Sequence, residues 1–154
     1  DGGRIVGEAC HVIDLMHYLT DSVVNEFNVS TLYPQNSKYF SDDNRSISLS
    51  FKDGSLAVIN YFSVGHPKIA KERLEVHFDG KSIELLDYRQ LVGFGMNIRS
   101  MSSKNSNKGH FDEWLSLYES LTGINAKWPI SLANLLDTSR ISILAAQQIS
   151  QDVE

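Results

Sequence analysis

The chain has 154 residues, of which 42% are hydrophobic and 21% are charged, and its formal net charge is −5. A chain of this length buries about 68–70% of its unfolded surface, so we expect residues 1–154 to form a single domain without metal or disulfide support. The acidic balance argues against a nucleic-acid partner, which requires clustered Lys and Arg. The sequence has neither an apolar run long enough to span a membrane nor a signal-peptide pattern, which predicts a cytoplasmic protein with no membrane partner.

The first predicted element is an amphipathic helix from Glu8 to Leu19. Four apolar residues recur at the i, i+3, i+4 and i+7 positions that share one helix face. They predict a buried stripe of Val12, Leu15, Met16 and Leu19.

His11 is the candidate functional residue of this helix, because Glu8 precedes it by three residues and Asp14 follows it by three. Residues three apart are neighbours on a helix, so these side chains are expected to form a group of acids and a base on one side of the helix. Asp14 can fix the tautomer of His11 by accepting a hydrogen bond from one ring nitrogen, which leaves the other free to exchange a proton. Tyr18 shares this face. The alternative is a histidine that only caps the helix or bonds a backbone carbonyl.

Cys10 is the only cysteine, so no disulfide can form within the chain. Its apolar surroundings in the sequence favour a small buried hydrophobic residue over a nucleophile. The histidines are dispersed and show no zinc-type spacing with Cys10, so we expect no bound metal.

The middle of the chain has the period-two alternation of β-strands. One strand is predicted between Val23 and Tyr33, and two hairpins are predicted around the Asp53-Gly54 and Asp79-Gly80 turns. Consecutive hairpins imply an antiparallel-rich mixed sheet of about five or six strands.

The returning strand of the first hairpin, Leu56 to Phe62, is apolar on both faces. Ala57, Ile59 and Tyr61 lie on one side, and Leu56, Val58 and Phe62 lie on the other. A strand that is apolar on both sides needs cover on both, which favours a second subunit against the sheet. The alternative is a solvated face, because polar side chains alternate along the neighbouring strands at Ser46, Ser48, Ser50, Arg73, Glu75 and His77.

Two helices are predicted to close the chain after a polar loop from Ser100 to Lys108. The first has a core stripe of Phe111, Trp114, Leu115 and Tyr118, and Gly123 ends it. The second has a core stripe of Leu132, Leu135, Leu136, Ser139 and Ile143, with Ser131 as its N-cap. The predicted fold class is therefore α+β, with one N-terminal helix and two C-terminal helices on one face of the sheet.

Four ordered segments, 2–15, 62–76, 85–91 and 108–131, resemble the C-terminal domain of the Gfo/Idh/MocA family of nicotinamide-dependent oxidoreductases. They carry GGRIVGEACHVIDL, FSVGHPK with KERLEV, LLDYRQL, and KGHF with PIS. The resemblance implies an oxidoreductase domain for a sugar, a polyol or a related secondary alcohol. It implies that His11 lies in the active site as an acid/base or substrate-binding group. We predict His11 and Asp14 as the catalytic residues. The predicted substrate-binding residues are Glu8, Arg4 and Tyr18. Many members carry an aspartate where this chain has Gly7.

The resemblance also implies a preceding Rossmann domain that binds NAD or NADP and carries a catalytic lysine. This chain has no G-x-G-x-x-G after an apolar strand, so no cofactor is expected in the chain alone. The implied partners are a small sugar-like molecule and further copies of the chain, which form a homo-oligomer through the sheet face. The alternative is a non-catalytic sugar-binding or scaffold module.

This interpretation predicts that the chain alone binds NAD no more tightly than about the millimolar range, because it lacks the glycine turn and helix start that hold a pyrophosphate. Isothermal titration calorimetry with NAD measures this. Micromolar binding would contradict the prediction.

Overall fold

The computed structural model describes residues 3–125 and 127–148. They form two compact units. One runs to Val64 and resumes at Ile130, and the other is Gly65–Pro129. That residues 1–154 fold as a single domain stays a prediction.

In chain order the elements are a π-helical turn Ile5–Ala9, α1 Cys10–Thr20, β1 Val24–Thr31, a 3₁₀ turn Ser41–Asp43, β2 Asn44–Phe51, β3 Leu56–Phe62, β4 Arg73–Phe78, β5 Lys81–Leu86, β6 Gln90–Phe94, β7 Met101–Ser102, α2 His110–Leu121 and α3 Leu132–Gln147. The predicted α+β class is confirmed. The segment from Ser100 to Lys108, expected to be a loop, contains the short strand β7. None of the described helices is long and apolar enough to cross a membrane.

The strands form two antiparallel sheets, in the orders β1-β2-β3 and β4-β5-β6-β7, rather than the one mixed sheet of five or six strands expected. The interruption falls between β3 and β4, where the chain contains Gly65 and Pro67. Proline has no N–H to donate to a ladder, and glycine weakens a strand, so this segment ends the first sheet.

Both predicted hairpins are present. The β2–β3 pair turns through Gly54 at φ 91, and the β4–β5 pair turns through Asp79 and Gly80 at φ 46 and 71. Two consecutive left-handed residues give the turn whose twist matches antiparallel strands. In β1 the register shifts between Val24 and Glu26, which explains how Val24 and Val29, of opposite parity, are both buried.

The predicted buried stripe of α1 is wrong except at Met16. Val12 and Leu15 are half-buried and Leu19 is exposed. The helical run instead buries residues four apart, on the face that contacts α3. The buried set is Ile5, Ala9, Ile13, Met16 and His17.

The stripes predicted for the last two helices also differ from the structure. On α2, Phe111 is 77% exposed and Trp114 is 70% exposed, and no residue of this helix is buried. On α3, Leu132 and Leu136 are exposed. The face of α3 that is buried consists of Thr138, Ile141, Ser142 and Ala145. Small residues on this face allow α1 to approach closely, which longer leucine side chains would prevent.

The helix signals at Ser131 and Gly123 are confirmed: the Ser131 hydroxyl accepts from the Asn134 N–H at 3.1 Å, and Gly123 follows α2 at φ 76.

Two buried polar side chains tie the first unit together. Arg45 on β2 donates to the carbonyls of Ala145 and Ala146 at the end of α3 and to Asp42 at 2.9 Å. His17 on α1 has its Nδ1 3.0 Å from the Ser22 carbonyl, so Nδ1 must donate. Its Nε2 lies 3.4 Å from the Asp137 carboxylate on α3.

His17→Leu is expected to lower the free energy of unfolding by about 1–3 kcal/mol, because it leaves the partly buried Ser22 carbonyl without its donor. Urea unfolding followed by circular dichroism measures the difference. The matched control is His11→Leu, the same change at an exposed position of α1, which should alter stability by less than about 0.5 kcal/mol. Equal effects of the two variants would contradict the structural role of His17.

Candidate functional site

The N-terminal helical run begins with a π-helical turn that presents two charged side chains. The Cys10 N–H donates to the Ile5 carbonyl, the five-residue spacing that defines this turn. Ile5 and Ala9 are buried and fix the turn against the rest of the unit. Arg4 and Glu8, four residues apart, therefore lie on one exposed side. π-Helical turns are rare in proteins. Those that do occur within helices are frequently located at functional sites.

Glu8 is joined to the sheet by a hydrogen bond over a long sequence separation. The Tyr61 hydroxyl on β3 donates to Glu8 Oε2 at 2.7 Å, between residues 53 positions apart. Ile59 lies on the same face of β3 and is buried in the core. Tyr61, two residues further on, points to the same side and reaches the helical turn. The face of β3 that carries Ile59 and Tyr61 thus packs inward.

Arg4 completes the cluster. Its Nε lies 3.5 Å from Asp43 Oδ2, and its side chain remains 52% exposed. A hydrogen bond to Tyr61 is the main cause that raises the pKa of Arg4, and the negative charges of Asp43 and Glu8 add to it. The pKa of Tyr61 is also raised, first by burial and then by its hydrogen bond to Glu8, while Arg4 opposes the shift. Tyr61 is therefore a neutral phenol at physiological pH. We call Arg4, Glu8, Asp43 and Tyr61 the π-turn cluster.

The predicted acid/base pair is not joined by a hydrogen bond within the described residues. His11 is exposed on α1, and Tyr18 on the same face is 80% exposed. Asp14 is half-buried, and its Oδ1 accepts from the Thr138 hydroxyl at 3.4 Å. The side chain of Asp14 is therefore directed to Thr138 on α3 and not to the imidazole of His11. Gly2, the first residue of the segment that contains His11, lies outside the described residues.

Glu8 directly follows Gly7, the position that the resemblance compares with an aspartate. Successive helix residues point about 100° apart around the axis, and Glu8 is directed to Tyr61. Sequence reasoning identified Arg4 and Glu8 but missed Tyr61 and Asp43 as their partners. The only signal for Tyr61 was a polar hydroxyl on the apolar face of a strand.

Cys10 is half-buried, and burial raises the pKa of its thiol. A raised pKa keeps the group protonated at neutral pH, and the thiol is a poor nucleophile. This agrees with the interpretation of Cys10 as a small packing residue. In residues 3–125 and 127–148, no three His, Cys, Asp or Glu side chains lie close enough together to hold a metal ion.

Two solved dehydrogenases have a fold similar to this chain. UDP-N-acetylglucosamine 3-dehydrogenase GnnA from Acidithiobacillus ferrooxidans matches with a TM-score of 0.63 and 13% sequence identity, over 90% of this chain and 43% of GnnA. The WlbA dehydrogenase from Bordetella pertussis, in complex with NADH and UDP-GlcNAcA, matches with a TM-score of 0.55 and 18% identity, over 96% of this chain and 43% of WlbA. The chain shares its fold with part of these dehydrogenases.

Both neighbours are dehydrogenases, and the four sequence segments resemble a domain of a family of nicotinamide-dependent oxidoreductases. The fold that this resemblance implied is therefore confirmed. The chain spans about 43% of the length of each neighbour. No protein-family model matches the chain, and no curated protein matches its sequence.

Proposed function

We propose that this chain is the substrate-binding and oligomerisation half of an NAD(P)-dependent oxidoreductase that acts on a secondary alcohol of a sugar-like molecule. The observation that carries the proposal is the fold shared with two dehydrogenases, one named for UDP-N-acetylglucosamine and one in complex with UDP-GlcNAcA. The exposed π-turn cluster beside His11 supports it, because carboxylate, guanidinium and imidazole groups are suited to binding and deprotonating hydroxyl groups.

The described residues do not fit the dinucleotide itself. A Rossmann site needs parallel strands joined through a helix, with a glycine-rich turn at the helix start. The strand pairs of the two described sheets are all antiparallel. We therefore assign NAD or NADP to a part of the enzyme other than this chain, and we assign to this chain the binding and orientation of the alcohol.

In the proposed reaction His11 exchanges the proton of the substrate hydroxyl. Its exposure leaves the ring accessible to a ligand. Arg4 and Glu8 bind other polar groups of the substrate, and Tyr18, seven residues beyond His11 on the same helix face, presents an exposed ring against which a sugar can stack. Asp14 keeps acceptor sites for His11 while Oδ1 accepts from Thr138, because a carboxylate has about four.

A non-catalytic sugar-binding module is the second candidate. The observation that favours it is that Asp14 accepts from Thr138 and, within the described residues, has no hydrogen bond to His11 that would fix the tautomer of the imidazole. Turnover of a substrate distinguishes the two functions.

We also propose a homo-oligomer formed through the outer face of the first sheet. Leu56 and Val58 on β3 are 79% and 66% exposed, and Phe62 on the same side is 48% exposed. The other side of the strand supplies Ile59 to the core. We therefore assign the partner surface to the Leu56, Val58 and Phe62 side. Lys at Ile59 or Tyr61, the change that the sequence pattern suggested for releasing monomers, would instead fall on the packed side of the strand.

Val58→Lys is expected to weaken self-association by more than about tenfold, because burying an unpaired ammonium in an apolar interface costs several kcal/mol. Sedimentation velocity over a concentration series measures this. Ser37→Lys, the same charge in an exposed loop residue, is the control and should have no effect. A wild-type chain that is monomeric at high micromolar concentration would contradict the proposed oligomer.

His11→Ala in the full-length protein is expected to lower kcat by about 10²–10⁴-fold, the usual contribution of a general acid/base. The assay follows NADH formation with UDP-N-acetylglucosamine as the probe substrate. His66→Ala, at another exposed histidine, is the control and should retain the wild-type rate. If folded His11→Ala turns over at the wild-type rate, His11 is not the acid/base, and if the wild-type protein binds the probe without turnover, the binding module is favoured.

A further inference from the structure

The π-turn cluster is anchored on one side and open on the other. A tyrosine hydroxyl offers one donor and two lone pairs. The donor of Tyr61 goes to Glu8 Oε2 at 2.7 Å. The same hydroxyl interacts with Arg4, and this interaction is the main cause that raises the pKa of the guanidinium. Tyr61 is thus hydrogen-bonded to the anion of the cluster and interacts with its cation.

Glu8 and Arg4 keep hydrogen-bonding capacity after these contacts. Glu8 is exposed, and within the described residues its Oε1 has no hydrogen-bond partner, whereas Oε2 is bonded to Tyr61. A guanidinium has five N–H donors. The Arg4 Nε lies 3.5 Å from Asp43 Oδ2, and 52% of the side chain is exposed, so part of the guanidinium remains open to a ligand. The open side thus offers an acceptor and a donor next to each other.

An acceptor and a donor fixed side by side are complementary to two neighbouring hydroxyl groups. One hydroxyl donates to the carboxylate, and the oxygen of the next accepts from the guanidinium. Bonds of this kind to charged groups are about twice as strong as neutral ones. A polar pair that is already ordered also loses less entropy on binding than two free side chains.

We propose that the π-turn cluster binds a vicinal diol of the substrate ring. Tyr61 is then the positioning residue that holds the Glu8 and Arg4 side chains where they can contact the two hydroxyl groups. This inference rests on the proposed function for the identity of the ring. It makes Glu8 a binding group and leaves proton exchange to His11. Asp43, which holds Arg4 from the other side, has a secondary positioning role.

Tyr61→Phe removes the hydroxyl and keeps the ring, so the packing of β3 is preserved. In the full-length protein we expect it to weaken binding of UDP-N-acetylglucosamine, which has neighbouring hydroxyls on its sugar ring, by about tenfold. Calorimetry measures binding, and steady-state kinetics should show a raised KM with kcat within about threefold of the wild type. The matched control is Tyr33→Phe, at an exposed tyrosine of the same unit.

A second measurement tests the geometry without any ligand. The pKa of Tyr61, followed by NMR of ¹³C-labelled tyrosine, should fall in Glu8→Gln and rise in Arg4→Gln, because Glu8 raises it and Arg4 lowers it. A merely structural tyrosine would not respond in opposite directions to these two variants.

Each outcome decides the proposal. A pKa of Tyr61 that neither variant moves would overturn the hydrogen-bonded cluster. Wild-type binding of the probe that Tyr61→Phe leaves unchanged would overturn the positioning role, and a wild-type protein that does not bind the probe would overturn the diol assignment. Binding that depends on Tyr61 but occurs without hydride transfer would support this inference while contradicting the proposed oxidoreductase function.

Discussion

The close packing of the N-terminal helical run against α3 is the constraint on which the rest of the first unit depends. Ile5, Ala9 and Ile13 are fully buried, and the facing helix buries Ile141 and Ala145. Alanines at the contact let the backbones approach, and the apolar area removed from water contributes about 25 cal/mol per Å². The side of the N-terminal helical run that faces α3 is buried. The opposite side, at the π-helical turn, is exposed and carries the charged residues Arg4 and Glu8. The candidate site is thus a consequence of the packing and not an addition to it.

Buried polar groups fix the relation of this helical layer to its sheet. Arg45 reaches from β2 to the last carbonyls of α3, where a cation also compensates the negative end of the helix dipole. His17 joins α1 to the carbonyl of Ser22 just before β1. Buried polar groups are costly unless their partners are placed correctly, so these contacts disfavour other packings of the same elements. A fixed layer keeps Tyr61 on β3 within reach of Glu8.

The two sides of β3 have different roles. Ile59 and Tyr61 face the helical layer, the first as core and the second as a link to the π-turn cluster. Leu56 and Val58 are exposed on the outer side of an edge strand. An exposed apolar edge favours pairing or burial against another surface. One strand thus supports the proposed substrate site on its inner side and the proposed subunit contact on its outer side, so changes at alternate residues should separate the two functions.

The sequence by itself determined the elements whose signals are local. The Asp53-Gly54 and Asp79-Gly80 turns fixed two hairpins, and Ser131 fixed the start of α3, because turn and capping geometry depends on a few adjacent residues. Tertiary structure decided which helix faces are buried. It selected the small residues of α3 over its leucines, and His17 over Leu19 on α1, because burial depends on the partner surface and not on periodicity alone. It also decided the candidate site. Arg4, Glu8 and His11 stand in one segment, but the bond between Glu8 and Tyr61 spans 53 residues and exists only once β3 is folded against the π-turn.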